Sequence, residues 1–468
     1  MAELLVRSDR IVLTDDVLDG WLLVRNGTIV AIGSGEGPGG YGGEVLDARG
    51  RVVLPGAIDT HVHVRYPGHA EREDFVTGTR AAAAGGVTTI LEMPISVPPV
   101  YDVDILERRL EAARRDSLVD FAFYGAGGHQ ALDHIQALSD AGVVGYKIFM
   151  HRPQAGREAE FEGLWSANSA HLYQVFEAVA RAGRVACLHA EDDEILALAE
   201  RRLRQEGRHD ARAHLEAHPV LAEALAIDLV VRLSEATGAR VSICHLSSGT
   251  GADIVAAAKA RGVPITAETC PHYLFRTEEA MERLGPYAKI NPPLRSAEEQ
   301  ERLWRRVQDG TVDFVGSDHA PYTPEEKEPG WESIWRAPAG CPGLETLLPL
   351  MAQATVTGGL SFQDVARLTA TRAAGVFGLA PRKGRIAVGA DADLAVLAPE
   401  PWTVSAAAMH TKHPQTARLF EGERLDYRVD TTVVRGHIVY RRGEIVGRPG
   451  DGRWQRPPAP SPAAPRAG

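Results

Sequence analysis

The sequence lacks the features that mark secreted, disulfide-stabilised and membrane-spanning proteins. Only four cysteines occur in 468 residues and no two form a Cys-x-x-Cys pair, so neither a disulfide framework nor a zinc knuckle is indicated: Cys187, Cys244, Cys270 and Cys341. No apolar run approaches the roughly 20 residues that cross a bilayer. The first residues, MAELLVRSDR, carry charges too early for the core of a signal peptide. We therefore expect a cytoplasmic protein without membrane contact.

Positive charge is limited as well, and lysine is scarce. The chain has 51 lysines and arginines against 62 aspartates and glutamates, which gives a net charge of −11. A nucleic-acid-binding surface needs clustered basic residues, so we expect no nucleic-acid partner. Arginine carries nearly all of the positive charge, because only six lysines occur: Lys147, Lys259, Lys289, Lys327, Lys383 and Lys412. A lysine within an apolar stretch is therefore unusual in this chain.

The hydrophobic pattern divides the chain into two β-rich ends and a middle of another kind. Residues 3–54 alternate apolar and polar residues as short strands do, and this pattern returns after residue 383 in GRIAVGADADLAVL. From about 56 to 380, apolar β-rich runs such as GVTTILEMP alternate with helical stretches such as VDILERRLEAARRD. That alternation is typical of a parallel sheet covered by helices.

This organisation predicts an α/β fold, a (β/α)8 TIM-like barrel with a small β-sandwich domain. Roughly eight strand–helix units fit the middle of the chain, and about 250 residues plus insertions is usual for such a barrel. Neither chain end could bury a good core alone, so we predict that residues 1–55 and 384–448 fold together as one composite β-sandwich, with the barrel at 56–383 between them. The Pro- and Ala-rich residues 449–468 are expected to be a disordered tail.

Several potential metal ligands follow the apolar strands of the predicted barrel. HVHVRYPG places His61 and His63 two residues apart, so on a strand both imidazoles point to the same side. Further candidates stand at or near the ends of later strands: Lys147, His189, His245 and Asp318. Each alone has a structural explanation, such as a hydrogen-bonded histidine or an aspartate in a turn. Their recurrence at the end of the barrel where active sites form favours a metal centre.

Lys147 is the most informative candidate because it lies within the apolar run VVGYKIFM. Burial of an ammonium is costly unless it is paired or loses its charge. Reaction of the amine with CO2 would give a carbamate, an anionic oxygen ligand that can bridge two cations. The alternative is a lysine whose ammonium reaches solvent from the strand end. We favour the carbamate.

The chain resembles the cyclic-amidohydrolase branch of the amidohydrolase superfamily, which includes hydantoinases, allantoinases and dihydroorotases. The resemblance covers about residues 5–445. Besides the order of the candidate ligands, it rests on LPGAIDTHVH, AAAAGGVTTI, ETCPHYL, NPPLRS, SDHAP and GRIAVGADADLAVL. It implies a hydrolase that acts on carbon–nitrogen bonds of small cyclic amides with two divalent metal ions. Zinc is the expected metal, and manganese, cobalt and iron are alternatives.

Carried over position by position, the resemblance implies two neighbouring metal sites. The more buried metal would be held by His61, His63 and Asp318. The more exposed metal would be held by His189 and His245. Carboxylated Lys147 and a hydroxide would bridge the two ions.

The resemblance also implies a mechanism and a set of substrate contacts. Two cations would lower the pKa of the bridging water and polarise the ring carbonyl. Asp318 would take the proton of the hydroxide as general base and return it to the departing ring nitrogen as general acid. Arg65, Asn291 and Ser247 would contact the substrate. Glu191 could orient a ligand imidazole, or it could cap a helix together with Asp192.

The motifs give mixed indications of the ring. Arg65 and the segments NPPLRS and APAGCPGLET are similar to dihydroorotases, in which the arginine binds the substrate carboxylate. However, Ile95 and Tyr322 stand where dihydroorotases have Asn and His. REDFVTGTRAAAAGGVTTILEMP is similar to allantoinases and hydantoinases, but WRAPAGCPG replaces the Trp-Gly-Gly segment of bacterial allantoinases, and Arg152 stands where hydantoinases have Tyr. We expect an allantoinase- or hydantoinase-type ureide or imide with a carboxylate or another polar substituent; the alternative is dihydroorotase activity through Arg65.

Two functions of other kinds compete with this hypothesis. A catalytically silent scaffold of the same fold would have lost metal ligands, whereas all six positions are filled here. A single-metal deaminase on the same barrel would not need Lys147. The resemblance further implies a homodimer or homotetramer that has a small cyclic amide as its substrate.

Overall fold

The structure is a computed structural model that describes residues 3–154 and 156–459. Its strands in chain order are β1 (Glu3–Val12), β2 (Val17–Arg25), β3 (Thr28–Ser34), β4 (Glu44–Asp47), β5 (Val52–Pro55), β6 (Ala57–Val62), β7 (Val87–Glu92), β8 (Asp120–Phe123), β9 (Gly125–Ala126), β10 (Gly145–Phe149), β11 (Val185–His189), β12 (Arg240–Ile243), β13 (Ile265–Thr269), β14 (Phe314–Val315), β15 (Leu394–Ala398), β16 (Trp402–Thr403), β17 (Arg424–Leu425), β18 (Arg428–Val434), β19 (His437–Arg441) and β20 (Glu444–Ile445).

Helices follow most of the central strands. They are α1 (Phe75–Ala84), α2 (Val103–Asp116), α3 (Ile135–Ala141), α4 (Ser169–Arg181), α5 (Asp193–Gln205), α6 (Ala211–Ala217), α7 (Val220–Thr237), α8 (Gly249–Ala260), α9 (Pro271–Phe275), α10 (Glu279–Leu284), α11 (Ala297–Gln308), α12 (Pro324–Lys327), α13 (Leu344–Thr357), α14 (Phe362–Ala366) and α15 (Arg372–Val376). Among the residues that the structure describes, no helix is both long and apolar enough to cross a membrane.

The central strands form a parallel barrel, which confirms the predicted (β/α)8 fold. β6, β7 and β8 pair in that order, and β9 to β14 form a second run in chain order. β9 continues β8 beyond Tyr124, whose amide donates to the carbonyl of Glu92 on β7 at 3.1 Å. The barrel closes after β14, where the amide of His63 donates to the carbonyl of His319 at 2.8 Å and the amide of His319 donates to His61 at 3.2 Å. The closure brings the first and last strands of the site together.

The two chain ends fold together, as the sequence predicts. Their strands form one sheet in the order β20-β19-β18-β15-β5-β1-β2-β3, with β4 paired to β1. Leu4 and Val6 from the start of the chain share an apolar core with Leu394 and Val433 from its end. Neither segment could form this core alone, because each supplies only part of the buried surface.

The start of the last segment differs from the expected disordered tail. Residues 449–459 lie against the barrel, where the amide of Gln455 donates to the carbonyl of Phe121 at 2.7 Å. The buried carboxylate of Asp120, at the N-terminal end of β8, accepts the amide of Arg453 at 2.8 Å and the side-chain amide of Gln455 at 2.9 Å. A buried carboxylate needs such hydrogen-bond donors. The amino-acid composition of residues 449–459 does not indicate that they supply donors to Asp120. Residues 460–468 lie outside the described residues.

Candidate metal centre and active site

The six predicted metal ligands meet in one pocket at the C-terminal ends of the barrel strands. We call it the reactive pocket; its empty volume is about 600 Å³, part of which is open to solvent. The ligands that line it are His61, His63, Lys147, His189, His245 and Asp318. The other lining residues include Arg65, Ile95, Phe149, His151, Gln154, Arg157, Phe161, Asn291 and Tyr322. The strands therefore assemble all six candidates at the face that barrel enzymes use for catalysis.

The ligand atoms form two groups. In the first, Oδ1 of Asp318 lies 3.5 Å from Nε2 of His61 and 3.3 Å from Nε2 of His63. In the second, Nδ1 of His189 lies 3.1 Å from Nε2 of His245. Tetrahedral ligand atoms about 2.1 Å from one zinc ion are about 3.4 Å apart. Both groups therefore have the spacing of ligands that share a metal.

Lys147 lies between the two groups without a carboxylate partner. Its side chain is fully buried, and Nζ lies 3.4 Å from Nε2 of His245 and 4.9 Å from the centre of the Phe149 ring. It forms no ion pair within 4 Å among residues 3–154 and 156–459. A buried ammonium surrounded by imidazoles is unfavourable, whereas an anionic group at this position would suit two neighbouring cations.

Two buried carboxylates orient the ligand imidazoles. Oε1 of Glu268, on β13, lies 2.7 Å from Nδ1 of His61 and accepts the amide of His245 at 3.1 Å. Oε2 of Glu191 lies 2.7 Å from Nε2 of His189, while its other oxygen lies 2.8 Å from Nδ1 of His218. These contacts leave the opposite ring nitrogen of each ligand facing the centre.

The structure assigns a contact to Glu191, whose role the sequence leaves open, and it adds Glu268, which was not among the predicted site residues. Glu191 contacts the imidazole of His189, whereas Asp192 is the N-cap of α5 and accepts the amide of Ile195. Glu268 could have been found as an acidic residue within the otherwise apolar run PITAETCP. A carboxylate in a buried strand needs partners, and here it binds two site residues.

Burial keeps three of the imidazoles neutral. It lowers the pKa of His63 and of His245 well below the usual value and lowers that of His189 to about 3. A neutral imidazole has a free lone pair, which metal binding requires. These histidines are therefore prepared as ligands and not as acids.

His61 and Asp318 differ from these three histidines. Burial opposes a charge on His61, yet the carboxylates of Glu268 and Asp318 raise its pKa to about 10. Burial raises the pKa of Asp318. The surroundings thus favour a positive charge between His61 and Asp318, where a metal ion could replace the proton.

Three residues of the pocket have left-handed backbones. Arg65, His245 and Asp318 have φ values of 60°, 35° and 48°. Residues with a Cβ rarely adopt such angles, and their cost is accepted mostly at functional sites. The residue pattern of the sequence does not indicate these backbone conformations.

The three predicted substrate contacts have different surroundings. Asn291 lines the reactive pocket, and its buried Oδ1 has no hydrogen-bond partner among the described residues. Arg65 also lines the pocket, and its Nη2 donates to the hydroxyl of Tyr322 at 2.9 Å. Ser247 is not brought to the pocket: its buried hydroxyl donates to Glu223 at 2.8 Å and accepts from Arg295 at 2.9 Å.

The chain is similar in sequence to known proteins. The profile of the amidohydrolase family matches residues 52–439. An L-hydantoinase from Paenarthrobacter aurescens is 35% identical over 459 residues, which cover 97% of this chain and 98% of that protein. An allantoinase from Rubrobacter xylanophilus is 39% identical over 454 residues, which cover 93% of this chain and 97% of that protein.

Solved structures resemble the whole molecule. An L-hydantoinase (dihydropyrimidinase) from Arthrobacter aurescens superposes with a TM-score of 0.92 at 33% identity, covering 97% of this chain and 100% of that one. A D-hydantoinase (dihydropyrimidinase) from Thermus sp. gives a TM-score of 0.88 at 30% identity, covering 98% and 99%. The similarity therefore includes both the barrel and the small domain.

Proposed function

Because the chain belongs to the amidohydrolase family, we propose that it is a metal-dependent hydrolase that opens the ring amide of a small cyclic ureide or imide. The observation that carries the proposal is the complete set of six ligands in one pocket. A scaffold protein of the same fold would have no need to keep six polar or charged side chains buried together.

The residues fit two divalent metal ions, for which we propose zinc. His61, His63 and Asp318 would hold one ion, and His189 and His245 would hold the other. We propose that Lys147 carries a carbamate, because this would replace an unpaired buried ammonium by an anionic ligand. When bound, the cations would activate water and polarise the ring carbonyl.

Asp318 is the proposed general base and acid. Its carboxylate is the most exposed member of the first ligand group, yet burial raises its pKa, which favours proton uptake. It would accept a proton from the attacking water and deliver it to the ring nitrogen as the C–N bond breaks. The neutral imidazole of His63, 3.3 Å away, is a poor competitor for this proton because burial lowers its pKa. His61, whose pKa is raised, would have the ring nitrogen that faces Asp318 occupied by the metal ion.

The test combines metal analysis with a hydrolysis screen of allantoin, hydantoin, dihydrouracil and dihydroorotate. We expect about two metals per chain and ring opening that chelation abolishes and added metal restores. The same preparation of Lys147→Ala should lose both metal and turnover. A chain that stays metal-free and inactive on every ring, even with metal and bicarbonate supplied, would support a scaffold instead.

Dihydroorotase activity is a second candidate, favoured by the presence of Arg65 in the pocket wall. Against it, the pocket is lined by Ile95 and Tyr322, which stand where dihydroorotases have Asn and His. Turnover of dihydroorotate at least as fast as that of allantoin or hydantoin would favour this candidate.

Two further features are proposed on the family relationship alone. We propose that residues 56–383 are the catalytic barrel and that the chain forms a homodimer or homotetramer. Light scattering of the purified protein across a concentration range tests the assembly, and a mass equal to one chain at all concentrations would contradict it.

A further inference from the structure

Three arginines converge on one carboxylate at the wall of the reactive pocket. Oε2 of Glu160 lies 2.7 Å from Nη2 of Arg157, 3.2 Å from Nη1 of Arg72 and 3.4 Å from Nη1 of Arg65. The guanidinium groups of all three arginines also lie 4.7 to 5.9 Å from the centre of the Tyr322 ring. We call these three residues the arginine cluster.

Positive charge exceeds negative charge in this wall. Burial opposes ionisation of Glu160, but hydrogen bonding to Arg157 and the charges of the arginine cluster lower its pKa to about 2. It therefore supplies one negative charge at neutral pH. Arg72 has a second acidic partner, Glu326, at 2.6 Å. Arg65 and Arg157 share Glu160 with Arg72 and have no further acid within 4 Å among the described residues.

The excess charge faces the place where a substrate would lie. Arg65 and Arg157 both line the reactive pocket, and Asp318 is the only acidic residue that lines it in the described chain. Nε of Arg65 is buried and has no hydrogen-bond partner among the described residues. A buried guanidinium with spare donors is suited to a carboxylate.

Arg157 and Gln154 line both the reactive pocket and an outer groove. The charged residues of that groove are Arg72, Arg157 and Arg336 against Glu325 and Glu326. A substituent that extends from a ring held at the metal centre towards this groove would pass Arg157. A carboxylate fixed directly to the ring would instead remain near the metal ligands.

We propose that Arg157 is a specificity-determining residue that, together with Arg65, binds a carboxylate at the end of a short chain on the substrate ring. This inference rests on the proposed hydrolysis of cyclic ureides and narrows its substrate class. Glu160 holds the arginine cluster in position without neutralising its positive charge. An anionic substituent on the substrate would offset the remaining positive charge.

The test compares two hydantoins of nearly equal shape, one with a carboxymethyl and one with a carbamoylmethyl group at ring carbon 5. We expect the wild-type protein to hydrolyse the acid at least about tenfold more efficiently in kcat/KM, because a buried charge pair discriminates by this amount or more. In Arg157→Gln the kcat/KM of the acid should fall about 10- to 100-fold, while that of the amide changes less than about threefold.

Two further variants separate charge from folding. Arg157→Lys keeps the positive charge and should retain part of the preference for the acid. Arg208→Gln is the control, because Arg208 is likewise paired with acidic side chains, Asp210 and Glu216, and does not line the reactive pocket. It should leave the ratio of the two substrates unchanged.

Equal loss on both substrates in Arg157→Gln, or a wild-type preference for the amide, would overturn the inference. If the metal-loaded protein hydrolyses neither these two hydantoins nor any ring of the screen, the proposed function fails, and calorimetry then decides the inference separately. Carboxymethylhydantoin should then bind at least about tenfold more weakly to Arg157→Gln than to the wild type, and equal binding would refute the role of Arg157.

Discussion

Two buried lysines at opposite ends of the barrel have opposite surroundings. Lys147 and Lys383 are 0% and 2% exposed. Nζ of Lys383 lies 2.5 Å from both Asp120 and Asp393 and 3.2 Å from Asp391. Lys147 has no carboxylate within 4 Å among the described residues, and its Nζ lies 3.4 Å from Nε2 of His245.

The comparison distinguishes a lysine that stabilises the fold as a charged group from a lysine that takes part in the chemistry of the site. The cost of burying Lys383 is offset by three aspartates, so this lysine can join the small domain to the barrel as an ammonium. No such offset exists for Lys147, which sits instead where two groups of metal ligands meet. Lys289 and Lys327 are also buried without an acid, but their ammonium groups donate to backbone carbonyls. A buried amine with neither kind of partner is thus a better indicator of function than burial itself.

The largest effect is expected for the substitution of Lys147. Lys147→Met should reduce kcat/KM by roughly 1,000-fold or more, because the ligand between the two metal groups is lost. Unfolding of the metal-free variant by urea should differ by less than about 1 kcal/mol from the wild type, since the substitution removes an unpaired buried amine. Metal content and kcat/KM are the readouts, and activity within tenfold of the wild type would show that Lys147 is not a ligand.

The matched substitution of Lys383 should lower stability and leave activity unchanged. Lys383→Met removes the buried cation that the three aspartates share, while Arg435 still pairs with Asp120 and Arg382 with Asp391. It should lower the free energy of unfolding by about 3–5 kcal/mol, chiefly because Asp393 is left buried without a cation. Metal content and kcat/KM of the folded fraction should not change. In the double variant Lys383→Met, Asp393→Asn part of the stability should return; a double variant less stable than the sum of its parts would contradict the pairing.

Carboxylates that orient ligands should have intermediate effects. Glu268→Gln and Glu191→Gln should each weaken metal binding about 10- to 100-fold, because the ligand imidazoles lose their orienting partners. Asp192→Asn is a control beside Glu191: it alters only the N-cap of α5. Competition with a chelator measures the affinity, and unchanged affinity in Glu268→Gln would assign this residue a purely structural role.

The metal ligands could be predicted from the sequence because they follow apolar strands in a repeated way. The spacing of His61 and His63 and the lysine in VVGYKIFM carry a local signal. The same holds for the barrel and for the pairing of the chain ends, which follow from hydrophobic periodicity. These are properties that neighbouring residues share along the chain.

Contacts between distant segments could not be predicted in this way. Glu160, Arg72 and Tyr322 meet only when three loops fold over the barrel, and the partners of Ser247 lie on α7 and before α11. The order of residues 449–459 likewise depends on Asp120, more than 300 residues earlier. Such pairings depend on the positions of loops, for which composition and periodicity carry no information.

Substitution of Glu160 should give the smallest and most discriminating effect on stability. Glu160 lies at the active site, yet it is held by residues of opposite charge, as Lys383 is. Its pKa of about 2 in the folded protein is below the usual value of 4.5, so the carboxylate stabilises the fold above pH 4.5 and loses this effect as the pH falls towards 2. The stability difference between the wild type and Glu160→Gln should therefore shrink by about 1 kcal/mol between pH 7 and pH 4. Urea unfolding at both pH values measures it, with the exposed Glu162→Gln as control. A difference independent of pH would mean that Glu160 acts by packing and that pairing with the arginine cluster does not stabilise the fold.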